Sequence, residues 1–523
     1  MSLVLKLNAP GMTSLHKAGL AGLYMTLQAF EATKEKINGL SWKREATTVT
    51  LEWDDRHLAS TFHDFINRSF WVDDEGFVRL KGLEINKPPE TDKKHQLYIA
   101  LLNSFLQFGP HRPTGTKRNL PYEIDDHLFW IRDFAPVKKF RHQEAVTDFV
   151  DEKGRFKESI EAAGWLYPGA GQRHVVHNAT KLNEVPELAL CLLFAPVGVV
   201  YYSIKSSAKG RKARLAMIIP EVIDLAAYSE VRQALADQTQ FELTASSASD
   251  AALRMLVTIA GGRTADEIAR EFGGNSICRV VTFGIVSWNE KQKSRTYARS
   301  IMSGQLRRFH DYQIADAIFK NRWQRISGAR DRHGNEVEPE RYFVITYSAR
   351  EFIADNIASG KPWYGNLAKH LANKESRQHL QYERKELHEM VQAASFESEN
   401  ERLFIEVCQE SWRRRLGKLG QRAISERTSF SMLANKEAEH LRNSLTRCKN
   451  ADTLRETVVD FWSRAGANRL LQGKSLANLL PLFADWKKAR DLALLALISY
   501  QPQSEQEAAL LEEDERKGEE DYE

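Results

Sequence analysis

Histidine and aspartate pairs are the first candidates for metal-dependent chemistry in this sequence. His63-Asp64 and His310-Asp311 match the dipeptides of metal phosphohydrolases, but no further series of histidines and aspartates accompanies them. Residues 174–177, His-Val-Val-His, could bring two imidazoles together, yet they lie in no HExxH frame and have no third ligand nearby. The two His-Asp pairs are therefore predicted to be helix partners or to make hydrogen bonds, and no metal site is expected in any of these segments.

The other catalytic signatures fail on spacing. Residues 473–475, Gly-Lys-Ser, have the end of a phosphate-binding P-loop, but the glycine required five positions earlier is Asn468, and no strand is predicted before it. The four cysteines are far apart and form no CxxC pair, so neither a zinc site nor a disulfide framework is indicated. The sequence therefore predicts a protein that has no catalytic centre and no cofactor of its own.

Clusters of basic residues are the feature that points to a function. They occupy 109–119, 205–214, 291–332 and 412–449, and the third holds eleven basic and three acidic residues. Lysine and arginine neutralise phosphates and release condensed counterions, while neighbouring aromatic rings can stack on unpaired bases. Any one cluster could be a solvated helix face or an exposed hairpin, but four in one chain predict nucleic-acid binding.

Aromatic and helical patterns beside the clusters qualify this prediction. Phe309, Phe319 and Trp323 have near-helical spacing, which favours core positions over stacking platforms. Residues 264–274 match the first helix and turn of a helix-turn-helix, and a capped amphipathic helix that ends at glycine explains them equally well. The sequence leaves both interpretations of that segment open.

Charge is distributed unevenly along the chain. The formal net charge is +4, but residues 505–523 hold ten acidic and two basic residues, so the preceding residues carry +12. We predict that the acidic segment is a disordered, solvated tail. The alternative is an intramolecular competitor for a nucleic-acid groove.

The elements that must position these residues follow from hydrophobic periodicity. An α+β body is predicted for 1–375, with a further division near residue 180 left open, and an all-helical bundle for 376–504. Gly19 and Gly22 in the first helix predict close backbone packing. Helices are predicted at 14–32, 92–108, 248–273 and through most of 349–500, and strands at 3–7, 47–53, 70–72, 77–80, 188–194, 197–204, 215–219, 280–286 and 342–347.

No segment of the sequence predicts a membrane anchor or an export signal. The apolar run 188–200 is interrupted by Pro196 and Gly198, and it is predicted to be a buried strand or pair of strands. Residues 1–5 are not a basic leader followed by a long apolar run. We therefore expect the chain to work in the reducing cytoplasm.

A resemblance to a known family begins near the N-terminus. Residues 7–24 read LNAPGMTSLHKAGLAGLY, and this segment is similar to the opening of CRISPR-associated large subunits of the Cas-eight group. The similar subset was first described from myxobacterial-type arrays and is frequent in cyanobacteria. Beyond this segment, the resemblance rests on the order of regions, a mixed α+β body followed by a helical bundle.

The resemblance implies the large subunit of a crRNA-guided type I CRISPR complex, Cascade, of the I-B-like kind. Such subunits lie beside the crRNA 5′ handle, help read the protospacer-adjacent motif in duplex DNA and hold the displaced strand of the R-loop, while guide pairing reads the target. The implied partners are crRNA, the target duplex, the displaced strand, and the backbone, handle-binding and small subunits, with a helicase-nuclease or transposition proteins acting later.

The C-terminal bundle is similar to the small subunit of such complexes. Met390 lies where an internal translation start would yield that bundle as a separate protein, and an ordinary core methionine is the alternative.

The resemblance and the basic clusters together assign hypothetical contacts. Loops 109–119 and 205–214 are predicted to contact duplex DNA near the adjacent motif, and residues 273–276 to probe the minor groove. The stretch 291–308 is predicted to hold the crRNA handle or a neighbouring backbone, and 413–422 to line a track for the displaced strand. The predicted nucleic-acid-binding residues are Arg112, Lys117, Arg118, Lys205, Lys209, Arg211, Lys212, Arg214, Asn275, Ser276, Lys291, Lys293, Arg295, Arg299, Arg307, Arg308, Arg413, Arg414, Arg415, Lys418 and Arg422.

Three alternative functions stay open at the level of sequence. The same subunit could belong to a transposon-encoded complex that directs RNA-guided DNA insertion rather than antiviral defence. The chain could also be a metal-dependent nuclease with a dispersed site, or a free-standing DNA-binding regulator.

Overall fold

The computed structural model places most of the chain in two compact units. It describes residues 1–85, 88–106, 111, 113, 115–124, 127–169, 181–206, 213–261, 276–288, 291–294, 297–330, 336–338, 341–472 and 475–502. The first unit contains the described residues up to 307 together with 321–346, and the second contains 308–320 and the described residues from 347 onward. The first unit mixes helices with strands and the second is helical in its described part, which confirms the predicted α+β fold class.

The first unit holds the strands and the first helices of the described chain. Its strands are β1 (Ser2–Lys6), β2 (Leu40–Arg44), β3 (Thr48–Trp53), β4 (Phe70–Val72), β5 (Val78–Leu80), β6 (Arg118–Ile124), β7 (His127–Phe134), β8 (Ile160–Glu161), β9 (Asn183–Glu184), β10 (Val200–Ile204), β11 (Ala213–Pro220), β12 (Thr244–Ala245), β13 (Ser276–Trp288), β14 (Lys291–Ser294), β15 (Tyr297–Met302), β16 (Arg322–Ile326), β17 (Ala329–Arg330), β18 (Glu336–Glu338) and β19 (Arg341–Ile345). Its helices are α1 (Ser14–Ala32), α2 (Leu58–Ser69), α3 (Thr91–Asn103), α4 (Ala145–Phe149), α5 (Pro186–Leu193), α6 (Ala195–Gly198), α7 (Leu225–Ala236) and α8 (Ala248–Ala260).

Two sheets form the framework of this unit. The N-terminal sheet has the strand order β1-β3-β2 with antiparallel pairing, and Leu3 and Leu5 of β1 are buried while their neighbours are exposed. The larger sheet has the order β12-β10-β11-β13-β14, and β15 also pairs with β13. In it, β10 runs antiparallel to β11 and parallel to β12. Alternation with a period of two residues is what buries one face of such strands.

Helix α1 packs backbone to backbone against α5 and α6. A Cβ atom on Gly19 would lie 1.9 Å from the carbonyl oxygen of Cys191, and one on Gly22 would lie 2.2 Å from another carbonyl oxygen of the facing segment. From the opposite side, a Cβ atom on Gly198 would lie 1.7 Å from the carbonyl oxygen of Ala18. Only glycine permits such an approach, because any Cβ atom would overlap the facing backbone. The predicted close packing is confirmed.

The prediction of a strand at 188–194 is wrong, because these residues belong to helix α5. Pro186 is at the first position of that helix, where its fixed φ angle is favourable and its missing N–H is not needed. The remaining residues are mostly leucine and alanine, which are good helix formers, and Ala189 to Leu193 are all buried. A continuous apolar run has no periodicity that separates a buried strand from a buried helix. The predicted strand 197–204 is confirmed only from Val200, where β10 begins.

Most other predicted elements lie at the predicted positions. Helix α1 covers the predicted 14–32, and β4 and β5 form the predicted hairpin. Helix α3 ends five residues before the predicted end at 108, and α8 ends at Ala260, after which 262–275 lie outside the described residues. Strand β13 extends the predicted 280–286 in both directions.

The second unit is a helical assembly around an aromatic core. Phe404, Trp462 and Phe483 are buried, and their ring centroids lie 5.8–6.4 Å apart. Across the described residues of both units, no helix has the length and apolar character needed to cross a membrane. The described helices of the second unit are α9 (Phe309–Ile318), α10 (Ser348–Ile357), α11 (Leu367–Ala372), α12 (Lys374–Tyr382), α13 (Arg384–Ala393), α14 (Glu399–Glu426), α15 (Phe430–Arg447), α16 (Ala451–Ala465), α17 (Ser475–Leu479) and α18 (Trp486–Ile498).

Asp491 of α18 is a buried carboxylate at the N-terminal end of α11. It is 5% exposed, and its Oδ1 accepts a 3.1 Å hydrogen bond from the backbone N–H of Ala368. Burial raises its pKa to about 6, although the backbone hydrogen bonds and Arg490 act in the opposite direction. Above that pH the protein therefore holds a poorly solvated charge.

Replacing Gly22 by alanine should destabilise the first unit by about 2–3 kcal/mol, because the added methyl group overlaps a backbone carbonyl held in a packed segment. Gly417→Ala is the matched control, since Gly417 also lies inside a helix and nothing lies within 4 Å of a Cβ atom built there. That control should stabilise its helix by about 0.5–1 kcal/mol. Differential scanning calorimetry measures both changes, and similar small shifts in Tm for the two variants would contradict the backbone contact.

Asp491→Asn should stabilise the second unit in a pH-dependent way. Between the ordinary pKa of 3.8 and the folded value of about 6, the unfolded chain releases a proton that the folded chain keeps, so stability falls as pH rises. Asparagine retains an oxygen that accepts from Ala368 and never ionises. The variant's free energy of unfolding should therefore exceed that of the unsubstituted protein by an amount that grows from pH 4 to pH 6 and levels off at about 2–3 kcal/mol. Denaturant unfolding at several pH values measures it, with the exposed Asp452→Asn as control, and a pH-independent difference would refute the assignment.

Candidate nucleic-acid interface

Lys117 and Arg118 lie at the start of the hairpin formed by β6 and β7. Both side chains are exposed: Lys117 Nζ lies 3.9 Å from Asp133 Oδ1, and Arg118 Nη2 donates a 3.4 Å hydrogen bond to the carbonyl oxygen of Glu75. The Arg118 guanidinium also lies 5.7 Å from the ring centroid of Phe134. Exposed contacts of this length contribute little stability, so both cations can exchange them for a phosphate.

Lys205 directly follows β10, at the base of the second predicted loop. Its N–H donates a 2.9 Å hydrogen bond to Ala245 O, and its carbonyl oxygen accepts from the Thr346 hydroxyl. Its Nζ lies 5.7 Å from the ring centroid of Phe343. The residue as a whole is exposed, whereas the groups around the ammonium desolvate it and lower its pKa. The backbone of this cation is thus fixed, and the residue is exposed although its ammonium group is partly desolvated.

An aromatic cluster joins two hairpins that are distant in sequence. The ring centroid of Phe129 in β7 lies 4.7 Å from that of Trp323 in β16 and 5.9 Å from that of Tyr342 in β19. Phe241 lies 4.7 Å from Trp323 on another side. The β6–β7 and β16–β19 hairpins therefore pack together, and they carry parts of the first and third basic clusters.

We use the name hairpin face for three exposed cations and one aromatic residue of these hairpins and of the end of β10, namely Lys117, Arg118, Lys205 and Phe343. Its phenylalanine is half-buried, so one part of the ring is accessible. Three cations and an aromatic ring on one structural unit suit a strand that offers phosphates and unpaired bases.

The aromatic residues of the third cluster have two different roles. Phe309 and Phe319 are 1% and 0% exposed, which confirms the predicted core positions. Trp323 is half-buried on a strand rather than on a helix, so the near-helical spacing was misleading for this residue.

Strands β14 and β15 carry the first part of the third basic cluster. Lys291 and Lys293 belong to β14, which pairs with the end of β13. Arg299 in β15 is half-buried, and its Nη1 donates a 2.7 Å hydrogen bond to the Ser249 hydroxyl near the start of α8. The position of Arg299 is thus held by α8, and the predicted contact of 291–308 with the crRNA handle stays a prediction.

The next two arginines of this cluster differ in setting. Arg307 is exposed and belongs to the first unit, whereas Arg308 belongs to the second unit, where it pairs with Glu397. Glu397 also lies 2.9 Å from Lys488 Nζ, which lies 2.9 Å from the buried carboxylate of Glu401. Hydrogen bonding from Lys488 lowers the pKa of Glu397. Arg308 is therefore part of a structural ion-pair network.

The fourth basic cluster lies on the C-terminal half of α14. Arg414, Lys418 and Arg422 follow one another at intervals of four residues, which places them on one face of the helix, and we call them the α14 stripe. Arg414 is half-buried, and the other two are exposed. This geometry presents a row of cations about 6 Å apart along the helix axis.

The cations of this cluster have intramolecular partners. Glu410 accepts from Arg413 at 2.8 Å and from Arg414 at 2.6 Å, and hydrogen bonding from Arg413 lowers its pKa most. The other bonds are Arg415 to Glu437 at 2.7 Å, Lys418 to the carbonyl oxygen of Arg464 at 2.8 Å, and Arg422 to Glu426 at 2.8 Å. Nucleic acid must therefore displace these partners in order to bind. Counting charges in the sequence does not show that the partners exist.

Several predicted residues lie outside the described part of the chain, and the predictions made for them stand as predictions. Arg214 and Ser276 have strand positions in β11 and β13, but no side-chain description. The predicted residues and segments outside the description are Arg112, Lys209, Arg211, Lys212, Asn275, Arg295, 174–177, 264–274, 473–474 and 505–523.

The residues with catalytic potential have structural settings. Asp311 is buried, and its Oδ1 accepts a 3.0 Å hydrogen bond from the backbone N–H of Ser395, as its predicted hydrogen-bonding role requires. Within the residues that the structure describes, no three histidine, cysteine or acidic side chains converge as a metal site. Burial raises the pKa of Cys278 and Cys408 to about 12, so both are protonated at neutral pH and poor nucleophiles.

Sequence reasoning missed two buried arginines. Arg350 of α10 is fully buried, and its Nη1 donates a 2.8 Å hydrogen bond to Phe319 O and lies 3.8 Å from Asp316 Oδ1. Arg232 of α7 is 4% exposed. Neither belongs to a basic cluster, so counting charges along the sequence cannot identify them. Only the apolar residues on the same helix faces could have indicated that these arginines are buried.

Comparison with known proteins shows which families of proteins this chain is similar to. Residues 4–193 match the DevT N-terminal domain and residues 392–523 match the DevT C-terminal domain. The chain therefore carries both DevT domains. It is also 28% identical, over 548 aligned residues, to the CRISPR-associated protein Cas8a1/Csx13 of Myxococcus xanthus (strain DK1622), with 99% of this chain and 91% of that protein covered. The predicted resemblance to Cas-eight large subunits is confirmed.

The segment that carried the resemblance forms the start of the DevT N-terminal domain. Gly11 has a φ angle of +86°, so glycine suits the turn that precedes α1. Thr13 caps α1 by accepting from the N–H of His16, and the His16 ring hydrogen-bonds back to the threonine. Burial lowers the pKa of His16 to about 4, so the ring is neutral at physiological pH. The DevT motif thus encodes a turn, a helix cap and the glycine face of α1.

Glu410→Gln should raise the affinity of the DevT chain for single-stranded DNA if the α14 stripe contacts it. The substitution frees Arg413 and Arg414 from a competing carboxylate. Loss of an exposed pair predicts that the affinity for single-stranded DNA increases about two- to fivefold at low salt. Asp452→Asn is the control, because it removes the same charge from an exposed i,i+3 pair with Arg455 on α16. Fluorescence anisotropy measures binding, and equal effects of the two substitutions would remove the stripe from the interface.

Proposed function

We propose that this DevT chain is the large subunit of a crRNA-guided type I CRISPR surveillance complex, in which it binds duplex DNA at the protospacer-adjacent motif, assists its opening and holds the displaced strand. The observation that carries the proposal is the near-full-length similarity to a CRISPR-associated Cas8a1/Csx13 protein. Because both DevT domains and the region between them are covered, the proposal concerns the whole chain and not a single shared module.

The hairpin face is our candidate for duplex contacts. Lys117, Arg118 and Lys205 are exposed, and their side chains have only weak partners or an aromatic neighbour. Such cations release counterions from DNA without first breaking a strong internal contact. Arg112 and Arg211 lie outside the described residues, and they remain our candidates for contacts with base edges, because arginine can contact guanine with two hydrogen bonds.

The α14 stripe is our candidate for the displaced strand. Glu410 and Glu426 balance Arg414 and Arg422 in the free protein, and Lys418 donates to a backbone carbonyl oxygen, so the stripe attracts nucleic acid less strongly than the hairpin face does. A single strand that has already been opened at the hairpin face is held at high local concentration, and modest contacts then suffice to retain it. The stripe would thus act after duplex recognition.

The proposed role needs no chemistry from this chain. Guide pairing supplies sequence recognition, and a separate protein, either a helicase-nuclease in defence or transposition proteins in guided insertion, supplies the later step. Other subunits that bind the crRNA backbone and handle complete the proposed complex, which would operate in the cytoplasm.

The decisive measurement is binding of the assembled complex to a duplex library with a randomised adjacent motif across a salt series. The complex is expected to prefer particular motifs. The triple variant Lys117→Gln, Arg118→Gln, Lys205→Gln should weaken binding. It should also reduce the slope of log K against log salt concentration by about 0.9 for each phosphate that the variant no longer neutralises. The control variant neutralises three exposed lysines outside the hairpin face, Lys6, Lys43 and Lys153, and should leave the slope nearly unchanged.

The outcomes separate the proposed function from its competitors. Motif-independent binding, or a slope that does not respond to the hairpin variant, would remove motif recognition from this face. Metal-dependent DNA cleavage by the isolated chain would favour the nuclease, and specific DNA binding without guide RNA would favour the free-standing regulator.

A further inference from the structure

A cavity of about 70 Å³ lies in the first unit among α3, β10, α7 and the 3₁₀ turn Lys81–Leu83. A buried water needs about 10–15 Å³ on the same measure, so this partly open cavity admits a group of roughly one ring in size. Its walls are mainly apolar. They include Val78, Leu80, Leu83, Leu97, Val200 and Leu243.

Arg232 places a cation against these apolar walls. Its Nε donates a 3.0 Å hydrogen bond to Val199 O, and within the described part of the chain its two terminal nitrogens have no hydrogen-bond partner and no carboxylate within ion-pair distance. Burial lowers its pKa, and the titratable groups nearest to it are tyrosine hydroxyls such as that of Tyr228, which burial keeps protonated and neutral. A buried cation without a counter-charge is costly, so the site favours a ligand that accepts hydrogen bonds.

The other cations that line the cavity are of two kinds. Arg79 donates to Glu84 at 2.7 Å and Lys94 donates to Glu75 at 2.7 Å, so both are already compensated. Lys93 is half-buried and makes no ion pair among the residues that the structure describes. Among the described residues, the cavity therefore offers one guanidinium inside and one ammonium on its lining that make no ion pair, although the Asp92 carboxylate acts on the ammonium from a greater distance.

Gln96 adds a further polar group to the cavity. Its amide nitrogen donates a 3.2 Å hydrogen bond to Tyr201 O, which leaves its side-chain oxygen as an acceptor. The cavity thus combines apolar walls, a pair of guanidinium donors and an amide acceptor. A flat heteroaromatic ring matches that set, because its acceptor atoms can bind the guanidinium and its exocyclic amine can donate to the amide oxygen. A bare phosphate or carboxylate matches it less well, because its charge would lie against the apolar walls.

We propose that this cavity binds a single unstacked nucleotide, with its base between the apolar walls and against Arg232 and its phosphate toward Lys93. The inference rests on the proposed function and deepens it, because it assigns a fixed base-reading position to a chain whose other cations contact nucleic acid at its surface. A free mononucleotide and an unpaired nucleotide of an RNA or DNA strand present the same chemistry, and the test separates them.

Isothermal titration calorimetry of the full chain tests the proposal with defined probes. These are the four ribonucleoside 5′-monophosphates, a five-nucleotide single-stranded RNA, inorganic phosphate and a polyglutamate peptide. At least one monophosphate should bind, and the RNA should bind more tightly if the nucleotide belongs to a strand. Arg232→Met should weaken binding at least tenfold and Lys93→Gln about three- to fivefold, whereas the exposed Lys153→Gln should have no effect.

A cavity-filling variant keeps the test decisive if Arg232→Met does not fold. Ala236 lines the cavity, and Ala236→Phe fills it while Arg232 stays in place. That variant should abolish mononucleotide binding. Unchanged binding by Ala236→Phe would overturn the proposal. So would phosphate binding as tight as nucleotide binding, or binding of polyglutamate with no response to any nucleotide.

The outcome of the titration can be distinguished from the outcome of the test of the proposed function. Nucleotide binding that Ala236→Phe abolishes would support the cavity even if the assembled complex ignored the adjacent motif. Conversely, motif recognition together with no nucleotide binding would retain the proposed function and overturn the cavity.

Discussion

The backbone contact between α1 and the α5–α6 segment sets the geometry of the first unit. Glycines on both sides let the helix and the segment meet at carbonyl oxygens, which leaves no room for adjustment. The start of α1 is tied to the large sheet as well, because the Ser14 hydroxyl donates a 2.6 Å hydrogen bond to Glu221 just after β11. The segment then leads directly into β10, which ends before Lys205. The positions of Lys205 and of the cavity wall therefore both follow from a contact that contains no charged group.

Electrostatics divides the basic residues into two classes with different thermodynamic consequences. Cations with strong internal partners, such as Arg308 and Arg415, stabilise the helical unit and contribute to nucleic-acid binding only by exchange. Cations with weak partners, such as Lys117 and Arg118, contribute their full counterion release. Net charge per segment treats both classes alike. The useful quantity is the charge that has no competing carboxylate, and that depends on the fold.

The sequence predicted the elements that local rules determine and missed those that packing determines. Helix α1, the β4–β5 hairpin and the C-terminal helices follow from periodicity, caps and turn residues, so their positions could be predicted. Residues 188–194 could not be assigned correctly, because a fully buried segment has no polar face that reveals its period. Trp323 was predicted to be a core residue from its near-helical spacing, but it is half-buried and lies on a strand. The candidate interface was predictable as a set of basic residues, whereas the pairing of Arg414 with Glu410 and the burial of Arg232 require three-dimensional contacts.

Recognition that carries sequence information requires donors in fixed positions, and fixed positions require burial. Exposed, exchangeable cations give affinity for any phosphate chain, but they do not distinguish one base from another. Arg232 is different, because its Nε is held by Val199 O, and the Tyr228 hydroxyl on the same helix donates a 2.5 Å hydrogen bond to Gly198 O. Those two carbonyls belong to the segment that α1 meets backbone to backbone at Gly198. The glycine contact that builds the core is therefore also what could hold a guanidinium rigidly enough to read a base.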